Sequence, residues 1–177
     1  MNITVYLGAC EGCDPQLKQA VRELGTWIGT SGNSLVYGGS KTGLMGELAL
    51  AALEAGAEVT GVEPQFFVDS VLQLEGLTRL IVTPDIAERK AKMIELADAF
   101  VAFPGGTGTL DEISQIMSMI GLGQLDAPCV FYNLNGYYNP MAEQLDRMLA
   151  CDLTSPERLQ GISFARNLDE LVACLQA

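Results

Sequence analysis

The sequence predicts an α/β protein: a doubly wound sheet of about seven mostly parallel strands with helices on both faces. Three observations predict it. Short apolar runs rich in strand formers recur at residues 3–9, 35–37, 58–62, 80–82, 99–103, 129–132 and 162–165, each followed by a helical pattern. A run such as Ala99-Phe100-Val101-Ala102-Phe103 is apolar at every position, as suits a central parallel strand covered on both sides. The chain has 177 residues, 49% of them hydrophobic, which matches one domain over residues 1–177. A chain of that size buries roughly 70% of the surface its unfolded form exposes.

Taken in order, the run at 3–9 leads into the clearest helix. Asp14 is placed to cap it, Pro15 suits its first turn, and Leu17, Ala20, Val21, Leu24 and Ile28 recur at helical spacing before Gly32 stops it. The run at 35–37 opens into Gly38-Gly39-Ser40-Lys41-Thr42-Gly43-Leu44-Met45-Gly46, and the run at 58–62 into residues 64–78, the segment with the weakest pattern. There Phe66-Phe67 either line a pocket or cover an edge. After the run at 80–82 comes Glu88-Arg89-Lys90-Ala91-Lys92 near a helix start. After the run at 99–103, Pro104-Gly105-Gly106-Thr107-Gly108-Thr109 leads into a helix at Leu110-Asp111-Glu112-Ile113. No internal repeat, low-complexity tract or linker interrupts this order.

Composition excludes several functions. Ten Lys and Arg against 22 Asp and Glu give a net charge of −12. Such a surface repels phosphate backbones and anionic headgroups, so nucleic-acid and membrane-surface partners are not expected. An anionic ligand has to be held by local donors. The chain has no histidine, so His-based zinc sites, Ser-His-Asp triads and Cys-His dyads cannot be built. Cys10, Cys13, Cys129, Cys151 and Cys174 form an odd, scattered set, which points to a reducing cytoplasm rather than a disulfide framework. Leu7-Gly8-Ala9-Cys10 resembles a lipoprotein cleavage box, but no Lys or Arg precedes it and its apolar stretch is too short for a signal. No run approaches the roughly 18 apolar residues of a membrane span.

In doubly wound sheets ligands bind beyond the carboxyl ends of the strands. Three loops there carry glycines, yet none has the Gly-Lys-Ser/Thr ending of a P-loop, and the dinucleotide fingerprint is missing after the first strand. In the third loop, consecutive glycines run straight into a helix, where unpaired amides and the helix dipole form an anion site; a tight turn without a ligand is the other reading. Glu112 also has two readings. Thr109-x-x-Glu112 is a capping box in pattern, whereas a carboxylate one turn inside a phosphate-binding helix reaches whatever the phosphate carries, such as a ribose. Arg89 and Lys90 fall at the same end of the sheet, with Arg89 suited to a fork on phosphate or ribose and Lys92 expected to pair with Glu88. As an exposed cationic cluster they are expected to contribute little to folding. Cys10-Glu11-Gly12-Cys13 lacks the support a redox pair needs, and two cysteines supply too few ligands for a metal.

The segments 38–46, Glu88-Arg89-Lys90 with Met93, and Pro104-Gly105-Gly106-Thr107-Gly108-Thr109-Leu110-Asp111-Glu112 together resemble the Lonely Guy family of cytokinin-activating phosphoribohydrolases. The resemblance runs from the first strand through Asn135-Gly136-Tyr137-Tyr138. It implies a Rossmann-like fold, a homodimer, and hydrolysis of the N-glycosidic bond of a purine nucleoside 5′-monophosphate carrying adenine or N6-substituted adenine. The small-molecule products are free base and ribose 5-phosphate. Carried over, Gly105, Gly106, Thr107, Gly108 and Thr109 hold the 5′-phosphate with Gly39 and Ser40 nearby, Arg89 and Glu112 form the catalytic pair, and Lys90 adds substrate contacts. Neither a metal nor an organic cofactor is implied. The sequence departs from the family pattern at Ile86-Ala87, at Met119-Ile120-Gly121 and at Ala9-Cys10, which puts the identity of the base in question. The alternative is a non-catalytic nucleotide or molybdenum-cofactor carrier of the same superfamily, for which a phosphate cradle suffices.

Overall fold

The computed structural model describes residues 1–68, 70 and 72–177. Among them, strands β1 (Asn2–Tyr6), β2 (Ser34–Tyr37), β3 (Val59–Pro64), β4 (Arg79–Thr83), β5 (Ala99–Ala102), β6 (Cys129–Tyr132) and β7 (Ile162–Ala165) form one sheet. Its order is β4-β3-β2-β1-β5-β6-β7, and every pairing is parallel. Helices α1 (Gln16–Thr30), α2 (Gly43–Glu54), α3 (Gln65–Val68), α4 (Ile86–Glu95), α5 (Thr107–Gly121), α6 (Asn139–Ala150) and α7 (Leu168–Leu175) connect the strands. The predicted doubly wound, Rossmann-like architecture is therefore the one observed.

Alternation along each strand builds two cores. Ile3 and Val5 of β1 join Leu35, Tyr37 and Val101 beneath α1, α2 and α7. Tyr6 points the other way, with Val36, Val62 and Phe100, toward Met93 of α4 and Ile113 and Ile116 of α5. Thr4 is buried on that second face because its hydroxyl donates to the Met93 carbonyl at 3.1 Å. Chain order reverses between β1 and β5, so the helices those strands lead into, α1 and α5, lie on opposite faces of the sheet and a crevice opens at the strand ends.

Several boundaries differ from the sequence expectation. β1 ends at Tyr6 rather than at residue 9, because the chain turns over the switch point, where the Gly8 amide meets the Pro104 carbonyl at 3.4 Å. In α1, Pro15 rather than Asp14 takes the capping position; Asp14, one residue earlier, accepts from the Gln16 amide at 2.9 Å. The unreadable stretch extends β3 to Pro64, adds α3, and then doubles back against the second glycine loop. There Gln73 bridges Ser40, the Lys41 amide donates to the Leu72 carbonyl (2.8 Å) and the Leu74 amide to the Gly39 carbonyl (2.9 Å). Among the described residues no helix is long and apolar enough to cross a membrane.

Candidate functional site

At the reversal point a cavity of about 430 Å³ opens between the three glycine loops. A larger concavity, about 700 Å³, follows the outer face of α1 from Lys18 to Trp27 and Thr30. Its walls are the solvent side of α1 and Leu168 at the start of α7, without a glycine loop or a buried ionisable side chain, so the crevice at the strand ends is the candidate site.

The floor of the cavity is the start of α5. Gly106 occupies the position before its first turn, and the first backbone bond of the helix runs from the Leu110 amide to the Gly106 carbonyl at 3.1 Å. The amides of Thr107, Gly108 and Thr109 therefore precede any intrahelical acceptor and sit at the positive end of the dipole. A Cβ added to Gly106 or Gly108 meets no atom within 4 Å, so protein packing does not require glycine there. Gly105 differs: its Cβ would press within 2.8 Å of the Gly8 amide nitrogen and against Thr109. That close approach joins the first and third loops. Of the residues predicted to bind phosphate, Gly106, Thr107, Gly108, Thr109 and Ser40 line the cavity, while Gly105 and Gly39 stand behind its wall.

The helix begins three residues earlier than the motif suggested, at Thr107. Thr109 thus occupies the third helical position, and the capping box with Glu112 does not form. Glu112 instead reaches α4, where its Oε1 accepts from Arg89 Nη1 at 2.5 Å, with both residues 7% exposed. Arg89 is fixed a second time, through its Nε donating to the Val62 carbonyl at 2.9 Å. The cationic cluster is accordingly not uniformly exposed, because Arg89 lies inside the second core. Lys90 pairs with Asp111 at 2.9 Å, and both line the cavity. Lys92 pairs with Glu95 at 2.6 Å rather than with Glu88, whose amide is taken by the Asp85 cap. Burial pushes the Glu112 carboxyl above its ordinary range, and the Arg89 charge pulls against that shift.

Two residues were missed by sequence reasoning. Tyr137 donates its hydroxyl to the Gly105 carbonyl at 2.5 Å, which ties the chain after β6 to the third loop. Glu63, at the end of β3, lines the cavity and is 1% exposed. Burial raises its carboxyl too, against the opposing charge of Arg89. The available signal was the place of Glu63 directly after the run at 58–62, at the carboxyl end of a strand. Cys10 and Cys13 are exposed thiols on the first loop. Among the described residues, no group of three or more Cys, Asp or Glu is placed to hold a metal.

Fold and site together define a Rossmann-like α/β protein in which a glycine-rich helix start and a buried Arg–Glu pair line one cavity. Residues 45–175 match the family model described as "Possible lysine decarboxylase", and the chain belongs to that family, the one the Lonely Guy resemblance pointed to. It is 36% identical to a cytokinin riboside 5′-monophosphate phosphoribohydrolase of Rhodococcoides fascians, over 99% of this chain and 89% of that protein. It is 34% identical to the Arabidopsis thaliana cytokinin riboside 5′-monophosphate phosphoribohydrolase LOG1, over 99% of this chain and 82% of that protein. Among solved structures, the Moco carrier protein of Chlamydomonas reinhardtii superposes with a TM-score of 0.73 at 23% identity, covering 99% of this chain and 94% of that one. That likeness carries the fold alone.

Proposed function

We propose that this chain, a single domain over residues 1–177, hydrolyses the N-glycosidic bond of a nucleoside 5′-monophosphate bearing adenine or an N6-substituted adenine. The observation that carries the reading is the buried Arg89–Glu112 pair in the same cavity as the free amides of Thr107, Gly108 and Thr109. The names of the 34–36% identical relatives support the substrate class.

In this reading the 5′-phosphate sits on the α5 amides, which satisfies those donors and places the ribose against Glu112. Cleavage of the C1′–N9 bond develops positive charge on the sugar, which the Glu112 carboxylate stabilises. The same carboxylate takes a proton from the water whose oxygen bonds to C1′ as the C1′–N9 bond breaks; the purine nitrogen takes up a proton from solvent water and Glu112 returns its own to solvent, so that water is split between the sugar and the base. A carboxyl raised by burial is a better base than an ordinary glutamate. Arg89 holds that carboxylate and orients the nucleotide, while Lys90 and Asp111 border the entrance. The chemistry requires no metal or organic cofactor.

The reading includes a homodimer in the cytoplasm. Supporting the dimer, Leu80, Val82 and Ile86 are 37%, 43% and 38% exposed along edge strand β4 and the start of α4; sedimentation tests it. Supporting the compartment, all five cysteines are free thiols. Incubation with AMP and isopentenyl-AMP, with assay for free base and ribose 5-phosphate, tests the activity. Tight binding without release of base would replace the enzyme by a nucleotide or molybdenum-cofactor carrier.

A further inference from the structure

Beside Glu112, Glu63 is the other buried carboxyl group among the described residues of the cavity wall, on the opposite side of the sheet. Val62 belongs to the core under α4 and α5, so the alternation of β3 turns Glu63 toward the α2 side, where Val59 and Tyr37 lie. Gly39, at φ +86°, covers it closely, since a Cβ there would come within 2.5 Å of Glu63 Cγ. Although only 1% exposed, its Oε2 is without a hydrogen-bond partner among the described residues, as is the nearby Tyr37 hydroxyl. An orphaned carboxyl oxygen at this depth is costly unless something that enters the cavity satisfies it.

Position says what that is. The α5 amides follow β5, and β3 lies three strands away across β1 and β2, about 14 Å at ordinary strand spacing. With phosphate on α5 and ribose at Glu112, the part of a nucleotide that extends past Arg89 toward β3 is the base. Met45, Phe67, Leu72 and Ile86 line the cavity along with Glu63, an apolar setting suited to a flat ring.

We infer that Glu63 recognises the base, its free oxygen accepting a hydrogen bond from the amino group at C6 of adenine. The inference rests on the nucleotide reading above and extends it to specificity. A carboxyl group offers a C=O or carboxylate oxygen to that N–H whether it is neutral or ionised. An N6-substituted adenine keeps one N–H, so it retains the contact. A site built around a donor discriminates against the analogue that lacks it, because the acceptor is then left buried and unpaired.

The test measures binding by calorimetry and turnover for AMP, purine riboside 5′-monophosphate, which lacks the amino group, and 2′-deoxy-AMP. It uses the wild-type protein, Glu63→Val and Glu63→Gln, with thermal melts to verify folding. The wild type is expected to favour AMP over the purine analogue by about tenfold in affinity, as one hydrogen bond to such a group predicts. Glu63→Val should bring that ratio within about twofold, while Glu63→Gln, which still offers a carbonyl oxygen, should keep most of it. An unchanged ratio in Glu63→Val overturns the inference, as does a loss confined to 2′-deoxy-AMP, which would assign Glu63 to the sugar. If AMP binds without being cleaved, the hydrolase reading fails, yet the affinity ratio still decides the role of Glu63. If no nucleotide binds, both fall.

Discussion

Arg89 Nη1 lies 2.5 Å from Glu112 Oε1, an ion pair that crosses from α4 to α5 with both side chains almost fully buried. In the proposed reaction this one contact couples folding to chemistry, since it holds the carboxylate at the cavity and removes a guanidinium charge from solvent. Glu112→Gln keeps a hydrogen-bond acceptor for Arg89 but loses the charge. Turnover should fall by a factor of about a hundred or more while AMP affinity stays within about tenfold. Single-turnover kinetics with calorimetric binding check this, and normal turnover would leave Glu112 as a structural partner only.

Arg89→Ala and Lys90→Ala should separate sharply in stability. Removing Arg89 leaves the buried Glu112 uncompensated and frees the Val62 carbonyl, at a cost of about 3–5 kcal/mol. Lys90 pairs with an exposed Asp111, so its loss should cost less than about 1 kcal/mol. Urea denaturation of the two variants measures the difference directly.

Gly108→Ala should leave folding intact or stabilise it by about 0.5–1 kcal/mol, as alanine favours the helix and the new Cβ meets no protein atom. If the space belongs to a phosphate, affinity for AMP should fall by about tenfold or more. Unchanged affinity would mean that the glycine serves only the turn.

Stability should decline as pH rises through the weakly acidic and neutral range. Glu63 is raised by burial in the folded chain, so its contribution is fully present below the ordinary carboxyl pKa and is lost as pH climbs through the raised value. Glu63→Gln cannot titrate. Comparing wild type and variant from pH 5 to 8 by thermal melting, the gap should widen in favour of the variant as pH rises. A constant gap would contradict the shift.

The fold was legible because its seven strands are apolar runs separated by glycine-bearing loops, a pattern fixed by covering both faces of a parallel sheet. The α5 motif was legible for its glycines but misleading for its helix start. Thr109 and Glu112 match a capping box in spacing, whereas Gly106 sets the true start, and no local pattern reveals a partner on α4. Burial of Arg89 was illegible for the same reason: its neighbours Glu88, Lys90 and Lys92 read as a solvated face, and only the packing of α4 against β3 turns one of the four inward. Within the stretch 64–78, two residues of which lie outside the described ones, Leu72 and Leu74 are held by backbone bonds to the second glycine loop, a contact that imposes no side-chain period. Tyr137 was quoted as part of a motif, but its bond to Gly105 spans 32 residues and has no local signature.

The central claim is that the α5 amides hold a terminal phosphate whose binding energy positions the ribose at Glu112. Comparing kcat/KM for AMP and adenosine tests it most directly, because the two differ only in that group. AMP should be hydrolysed at least about a hundredfold more efficiently, with kcat as well as KM affected. Equal efficiencies for AMP and adenosine would contradict it.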